Sequence, residues 1–169
     1  MSCTLYLVRH AIAEEQADSG RDGDRRLTRD GIAKMERAAL GLKRLGVAPD
    51  AIWSSPLARA WETAEIVRAA LAPSLKSVVY PPLTSGGNRG ALIAGLAAAA
   101  GAEQLMLVGH EPDLGELASQ LLTGAPDSVA LAFKKGGAAA IELARLPPDS
   151  RGVLAWFLTP KQLRWLGGE

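Results

Sequence analysis

Short, mainly apolar runs alternate along this chain with longer segments whose apolar residues recur at helical spacing. The runs at 5–8 and 104–108 carry no charge and suit strands that are buried on both faces of a parallel sheet. Between such runs, Thr28 is placed to cap a helix that Gly46 ends. The alternation predicts an α/β fold, a three-layer α/β/α sandwich around a mainly parallel sheet of about six strands.

The same periodicities place the other elements. The predicted strands are 5–8, 51–53, 77–80 and 104–108, followed by an antiparallel pair at 138–143 and 153–158. The predicted helices after the first are 57–71, 89–100 and 112–122, and the serines of the turn at 54–56 are expected to cap the first of these. The apolar face of the first helix is predicted to be Ile32, Met35, Ala39, Leu42 and Leu45.

Length and composition favour a single domain over residues 1–169, because 169 residues that are 48% apolar suffice for one core. A net charge of +1 gives no reason to expect nucleic acid or an anionic membrane as a partner. No apolar run approaches the ~18–20 residues of a membrane-spanning helix. With a single cysteine, Cys3, and no secretion-signal pattern, we expect a cytoplasmic protein.

The only two histidines of the chain occupy equivalent positions in two similar segments. Leu-Tyr-Leu-Val-Arg-His ends at His10, and Leu-Met-Leu-Val-Gly-His ends at His110. Ligands of open α/β sheets bind beyond the carboxyl ends of the strands, so the two rings meet at one site if their strands are neighbours. The alternative is that each histidine is a hydrogen-bonded loop residue. Two histidines and a distant cysteine match no familiar zinc-ligand spacing, and no metal is expected.

Two arginines lie near the same predicted edge. Arg9 directly precedes His10, and Arg59 falls in the first turn of the helix after the second strand, where backbone N–H groups favour anions. Guanidinium groups bind phosphate oxygens in two-pronged fashion and keep their charge, so this pair indicates a phosphate site. A solvated surface residue is the alternative for Arg59.

Three blocks carry a family resemblance. They are Arg9-His10, the Ser55-Pro56-x-x-Arg59-Ala60-x-x-Thr63-Ala64 stretch, and Gly109-His110. In this order they resemble the histidine phosphatase superfamily, whose fold is phosphoglycerate mutase-like. The Arg25-Arg26-Leu27-Thr28-x-x-Gly31 and Gly109-His110-Glu111-Pro112-Asp113-Leu114 segments look like the SixA-type phosphohistidine phosphatases.

The resemblance implies a role for each of these residues. His10 would be the nucleophile, Arg9 and Arg59 would clamp the phosphoryl oxygens, and His110 would add a donor. Arg25 would be a further phosphate-binding cation, although Arg26 stands where the family usually has proline. The reaction would need no metal or other cofactor. His10, as a strand-end residue, is expected to face solvent.

One position departs from the pattern. SixA-type relatives often have Pro-Glu-Leu-Thr after the third strand, where this chain has Pro81-Pro82-Leu83-Thr84. Proline cannot donate a proton. The alkoxide that leaves a phosphate ester needs protonation more than the imidazole that leaves phosphohistidine, so this change slows ester hydrolysis most. The carboxylates that could replace the missing acid, or simply be solvated, are Glu14, Glu15, Glu111 and Asp113.

The predicted function is therefore hydrolysis of phosphohistidine on a protein, such as a phosphotransfer domain in signal transduction, through a covalent enzyme intermediate. The short predicted loop at 81–88 favours an open site that a protein substrate can reach. One alternative is a general phosphomonoesterase acting on small metabolites. The other is a non-catalytic phosphate-binding module.

Overall fold

Six strands form one sheet at the centre of the computed structural model, which describes residues 2–169. The strands are β1 (Cys3–Arg9), β2 (Ala51–Ser54), β3 (Val78–Val79), β4 (Gln104–Gly109), β5 (Ala138–Leu143) and β6 (Val153–Leu158). Their order is β3-β2-β4-β1-β5-β6. The first four run parallel, whereas β5 is antiparallel to both β1 and β6. The mainly parallel sheet and the antiparallel pair at its end are both confirmed.

Helices cover both faces of this sheet. They are α1 (Arg29–Arg44), α2 (Ala58–Leu71), α3 (Arg89–Gly95), α4 (Asp113–Thr123) and α5 (Pro160–Leu166). Buried residues of α1, α2 and α5 pack with one face, and those of α3 and α4 pack with the other. This arrangement is the predicted three-layer α/β/α sandwich. No helix within residues 2–169 is long and apolar enough to cross a membrane.

The central strands are buried on both faces, as their continuous apolar runs predict. In β1, Leu5 and Leu7 join the core on the α3 and α4 side, while Tyr6 and Val8 join the core on the α1 and α2 side. β4 alternates in the same way. The ends of these two strands are thereby fixed from both sides of the sheet.

The start of α1 is also as predicted. The Thr28 hydroxyl accepts a hydrogen bond from Gly31 N at 2.9 Å, and Gly46 adopts a positive φ of +79° just after the helix. A Cβ at Gly31 would lie 2.1 Å from the carbonyl oxygen of Ile12. Glycine therefore lets α1 pack directly on the segment that follows His10.

Several boundaries differ from the sequence predictions. β3 has only two residues because it lies at the sheet edge and pairs with β2 alone. The predicted helix 89–100 is α3 followed by a short 3₁₀ segment (Leu96–Ala99). The serines do not cap α2, because its N-cap is Leu57. Of the predicted apolar face of α1, Ile32 and Leu45 near the helix ends remain exposed.

The helix α5 was not predicted. It packs on α1, where a Cβ at Gly41 would lie 2.0 Å from the carbonyl oxygen of Leu163. Its start has a capping box between Thr159 and Gln162, with Pro160 in the first turn. The Thr-Pro-Lys-Gln sequence could have revealed this start.

Candidate active site

The two histidines lie side by side because β1 and β4 are neighbouring parallel strands. Arg9 pairs with Gly109 in register, and His10 N donates a hydrogen bond to Gly109 O at 3.0 Å. The ring centroids of His10 and His110 are 5.2 Å apart. The adjacency that the sequence could only assume is therefore present, and both rings lie at the carboxyl edge of the sheet.

His10 is buried, with 6% of its surface exposed, so the expectation that it faces solvent is wrong. Its Nδ1 lies 2.7 Å from the carbonyl oxygen of Ala11. A carbonyl only accepts hydrogen bonds, so Nδ1 carries the proton and Nε2 keeps a free lone pair in the neutral ring. The pKa of His10 is lowered to about 4, chiefly by burial. The hydrogen bond to Ala11 raises this pKa, and the nearby charges of Arg59 and Arg9 lower it.

Ala11 is itself held by α2. Its N–H donates to the Thr63 hydroxyl at 3.0 Å, and that hydroxyl donates to the Arg59 carbonyl oxygen at 2.7 Å. Arg59 and Thr63 lie one turn apart on α2, so this single helix turn supports the backbone that orients His10 and also carries a predicted site arginine. The family pattern Arg59-Ala60-x-x-Thr63 thus has a structural reason.

His110 is more deeply buried, with 2% of its surface exposed. Its Nε2 lies 2.8 Å from the Ser55 hydroxyl, while its Nδ1 is buried without a hydrogen-bond partner in the described chain. The pKa of His110 is lowered to about 3, chiefly by burial and also by the proximity of His10 and Arg59. Both histidines are therefore neutral at physiological pH.

Arg59 is buried, with 5% of its surface exposed, so it is not a solvated surface residue. It lies in the first turn of α2, as predicted. Its Nη1 donates to the Asp22 carbonyl oxygen at 2.9 Å, and its Nη2 donates to Asp22 Oδ2 at 3.1 Å. A buried guanidinium needs such partners, since an unpaired buried charge is costly.

Asp22 also binds Arg25, the further phosphate-binding cation that the resemblance implies. Arg25 Nη1 donates to Asp22 Oδ1 at 2.9 Å, and Arg25 Nε donates to the Glu14 carbonyl oxygen at 2.6 Å. The hydrogen bond from Arg25 and the pairing with Arg59 lower the pKa of Asp22. Sequence reasoning missed Asp22; its position three residues before Arg25 was the available signal.

Arg9 is anchored by a different segment of the chain. Its Nη1 donates to the Phe133 carbonyl oxygen at 2.7 Å, while its Nε is buried and has no partner among residues 2–169. Burial lowers the pKa of Arg9, and the nearby Glu111 carboxylate opposes this. Phe133 lies in the segment between α4 and β5, which carried no sequence motif.

The candidate acids have different surroundings. Glu14 and Glu15 are exposed, and Asp113 Oδ2 accepts a hydrogen bond from Gly86 N at 2.9 Å. Glu111 is half-buried, and burial raises its pKa. Pro82 lies in a short 3₁₀ turn (Pro81–Leu83) after β3. Across residues 2–169, no three His, Cys, Asp or Glu side chains are grouped so as to hold a metal ion.

This arrangement suits an anion. Arg9, Arg59 and Arg25 contribute charge around two neutral imidazoles at the sheet edge, and one imidazole has a free nitrogen. Such a set can bind a tetrahedral oxyanion and present a nucleophile to it without first deprotonating the ring.

Comparison with known proteins identifies the family. The sequence pattern of the histidine phosphatase superfamily (branch 1) matches residues 5–83, a span that includes Arg9, His10, Arg25 and Arg59. A structure of the protein histidine phosphatase SixA complexed with tungstate is 28% identical, covers 95% of this chain and 99% of its own, and superposes with a TM-score of 0.83. The chain belongs to the histidine phosphatase superfamily.

Two further relatives extend the similarity over almost the whole chain. A protein from Nakamurella multipartita assigned as a SixA phosphohistidine phosphatase is 28% identical, covers 95% of this chain and 97% of its own, and has a TM-score of 0.77. An uncharacterised protein from Picosynechococcus is 39% identical over 164 residues, which are 94% of this chain and 98% of that protein. The predicted superfamily, the SixA-like similarity and the phosphoglycerate mutase-like fold are confirmed.

Membership also fixes the class of reaction. Members of the histidine phosphatase superfamily and its structural neighbours are phosphatases and mutases that use a histidine nucleophile. This protein is therefore a histidine-nucleophile phosphatase.

Proposed function

We propose that this phosphatase removes phosphoryl groups from phosphohistidine on other proteins, with His10 as the nucleophile. The observation that carries the proposal is the state of the His10 ring. The hydrogen bond from Nδ1 to the Ala11 carbonyl oxygen fixes the tautomer, and the pKa of about 4 keeps Nε2 unprotonated. A neutral, oriented imidazole can attack phosphorus at physiological pH.

The reaction proceeds in two displacements. His10 Nε2 attacks phosphorus in line and a new P–N bond forms, while the P–N bond of the substrate breaks and its imidazole, protonated on its other ring nitrogen, leaves as a neutral ring. Water then attacks the phosphohistidine at position 10, inorganic phosphate is released, and the neutral ring is regenerated. Each step transfers the phosphoryl group without any oxidation or reduction.

The surrounding side chains stabilise the charge of the transferring group. Arg9 and Arg59 bind the equatorial phosphoryl oxygens, and His110 is a further donor from the end of β4. Arg25 pairs with the Asp22 carboxylate that also binds Arg59, and so offsets the negative charge of Asp22 beside the site. Fixed donors of this kind need no reorganisation during the reaction, which is why they lower its barrier.

Two observations support phosphohistidine as the substrate. The tungstate-bound structure that this chain resembles is a protein histidine phosphatase, and tungstate is a tetrahedral oxyanion like phosphate. Pro82 occupies the turn after β3 where relatives often have a glutamate. The missing proton donor slows ester hydrolysis more than it slows cleavage of a P–N bond. A phosphotransfer domain of a signalling relay fits this chemistry, and would place the protein in the cytoplasm and in signal transduction.

A substrate panel tests the proposal. We expect purified protein to release phosphate from a phosphohistidine protein far faster than from sugar phosphates or nucleotides. Comparable rates on the small esters would favour a general phosphomonoesterase instead. Binding of phosphate without any turnover would favour a phosphate-binding module.

The nucleophile is tested with His10→Ala. Since Nε2 of His110, the other ring at the site, already lies 2.8 Å from the Ser55 hydroxyl, we expect turnover to be abolished. Label transferred from a radioactive phosphohistidine protein, recovered under alkaline conditions that preserve phosphohistidine, should map to His10 and be absent from His110. Substantial hydrolysis by the variant, or label on His110, would remove His10 from this role.

A further inference from the structure

The orientation of Arg9 depends on a single hydrogen bond. Its Nη1 donates to the Phe133 carbonyl oxygen at 2.7 Å, and its Nε is buried without a partner in the chain from residue 2 onward. A long side chain with one hydrogen-bond partner in the protein is oriented by that hydrogen bond. The placement of the Phe133 carbonyl therefore decides where the Arg9 guanidinium points.

Phe133 lies in a segment without helix or strand, so its carbonyl must be positioned by other contacts. Its ring is buried and packs edge-on against Phe157, with ring centroids 4.9 Å apart. Its backbone N–H donates to Glu111 Oε1 at 3.1 Å. The ring fixes the residue in the core, and the carboxylate fixes the direction of its backbone.

The fold makes room for Glu111 at this point. A Cβ at Gly115, in α4, would lie 2.6 Å from the Leu131 carbonyl oxygen and 3.1 Å from Glu111 Oε2. Glycine is thus required for the carboxylate and the 131–133 segment to approach the start of α4. The hydrogen bond to Phe133 is therefore part of a tightly packed junction.

Glu111 also acts on Arg9 through charge. Burial raises the pKa of Glu111, whereas the hydrogen bond from Phe133 and the charge of Arg9 lower it. In return, the Glu111 carboxylate favours the charged form of the buried Arg9. The two groups stabilise each other across the Phe133 backbone.

We propose that Glu111 is the positioning residue of Arg9, holding its guanidinium in the phosphoryl-binding orientation through the backbone of Phe133. The proposal rests on the proposed function, in which Arg9 binds the phosphoryl group. It gives Glu111 a role that differs from proton donation, because its Oε1 is directed at Phe133 N.

The test is a double-mutant cycle on orthovanadate binding, measured by calorimetry. We expect Glu111→Ala to weaken orthovanadate binding about tenfold in the wild-type background, the scale of losing one buried hydrogen-bond partner. In an Arg9→Ala background the same change should have less than about a twofold effect, because the residue through which it acts is gone. Glu116→Ala, which removes a half-buried carboxylate of α4 paired with Arg89, is the matched control and should leave binding unchanged.

Hydrogen exchange gives a readout that does not need the Arg9 variant. Glu111→Ala should speed exchange of the Phe133 amide, while Glu116→Ala should not. An equal loss of affinity in both backgrounds, or no loss in either, would overturn the role of Glu111. Orthovanadate binding by wild-type protein that cannot hydrolyse phosphohistidine would refute the proposed substrate and still leave this cycle interpretable.

Discussion

The behaviour of each functional side chain is set by one or two close contacts. Nε2 of His10 is free because Nδ1 keeps its proton and donates it in a hydrogen bond to the Ala11 carbonyl oxygen, and the buried guanidinium of Arg59 is paired with two oxygens of Asp22. The sequence could identify His10 and Arg59 because their residue types match the chemistry. Asp22 was missed although its spacing of three residues from Arg25 was a signal, and Phe133 could not be identified because its contact is made by a backbone carbonyl, which carries no sequence pattern.

Arg59 gives the clearest test at this scale. Because it is buried at the start of α2 beside both histidines, Arg59→Ala should weaken orthovanadate binding and slow phosphohistidine hydrolysis by roughly a hundredfold or more, the loss typical of one transition-state donor. Arg68→Ala is the control, since Arg68 is on the same helix but pairs with Glu65. A near-normal rate for Arg59→Ala would exclude it from phosphoryl binding.

The elements determine which side chains reach the site. Thr28 and Gly31 set the start of α1 against Ile12, and the first turn of α2 supports Ala11 through Thr63. The apolar periodicity of α1, and the turn before α2 with Pro73 after it, made these helices predictable. β3 was overestimated because an edge strand receives hydrogen bonds from one side only, and α5 was missed because its seven residues are too few for a clear period.

The turn after β3 offers a prediction at this scale. If the missing acid at position 82 causes a preference for phosphohistidine, Pro82→Glu should raise hydrolysis of alkyl phosphate esters by about a hundredfold, as general acids typically do. Phosphohistidine hydrolysis should change little, because its imidazole leaving group depends less on protonation by a general acid. Initial rates on both substrates would measure the change.

Pro81→Glu is the matched control, because it adds the same carboxylate to the same turn one residue away. We expect it to leave ester hydrolysis low. Efficient ester hydrolysis by wild-type protein, with a pH profile that shows an essential acid, would contradict the premise and direct attention to another carboxylate.

At the scale of the whole molecule, the strand order creates the site. β4 lies between β1 and β2, so the strand ends that carry His10, His110 and the turn before Arg59 share one edge. The sequence predicted each of these strands but not their order, because the order depends on how helices pack across both faces. The same packing buries both histidines, which strand-end positions alone did not indicate.

Burial of both histidines couples the stability of the fold to pH. The pKa values of His10 and His110 are lowered to about 4 and about 3, whereas in the unfolded chain both are near 6.5. As the pH falls below 6.5, the unfolded state binds protons that the folded state does not, so the free energy of unfolding decreases until the pH passes below about 3. Stability is therefore greatest above pH 6.5, and these are the only two histidines in the chain.

We expect urea unfolding to show a loss of stability on the order of a few kcal/mol between pH 7 and pH 4.5. A variant with His10→Asn and His110→Asn should lose much less over the same range. Asp22 and Glu111 have pKa values shifted in opposite directions and are present in both proteins. Their contributions to the pH dependence of stability therefore largely cancel when the two proteins are compared. Equal losses in the two proteins would show that the histidines are not held neutral by the fold, and would remove the physical basis for a free Nε2 on His10.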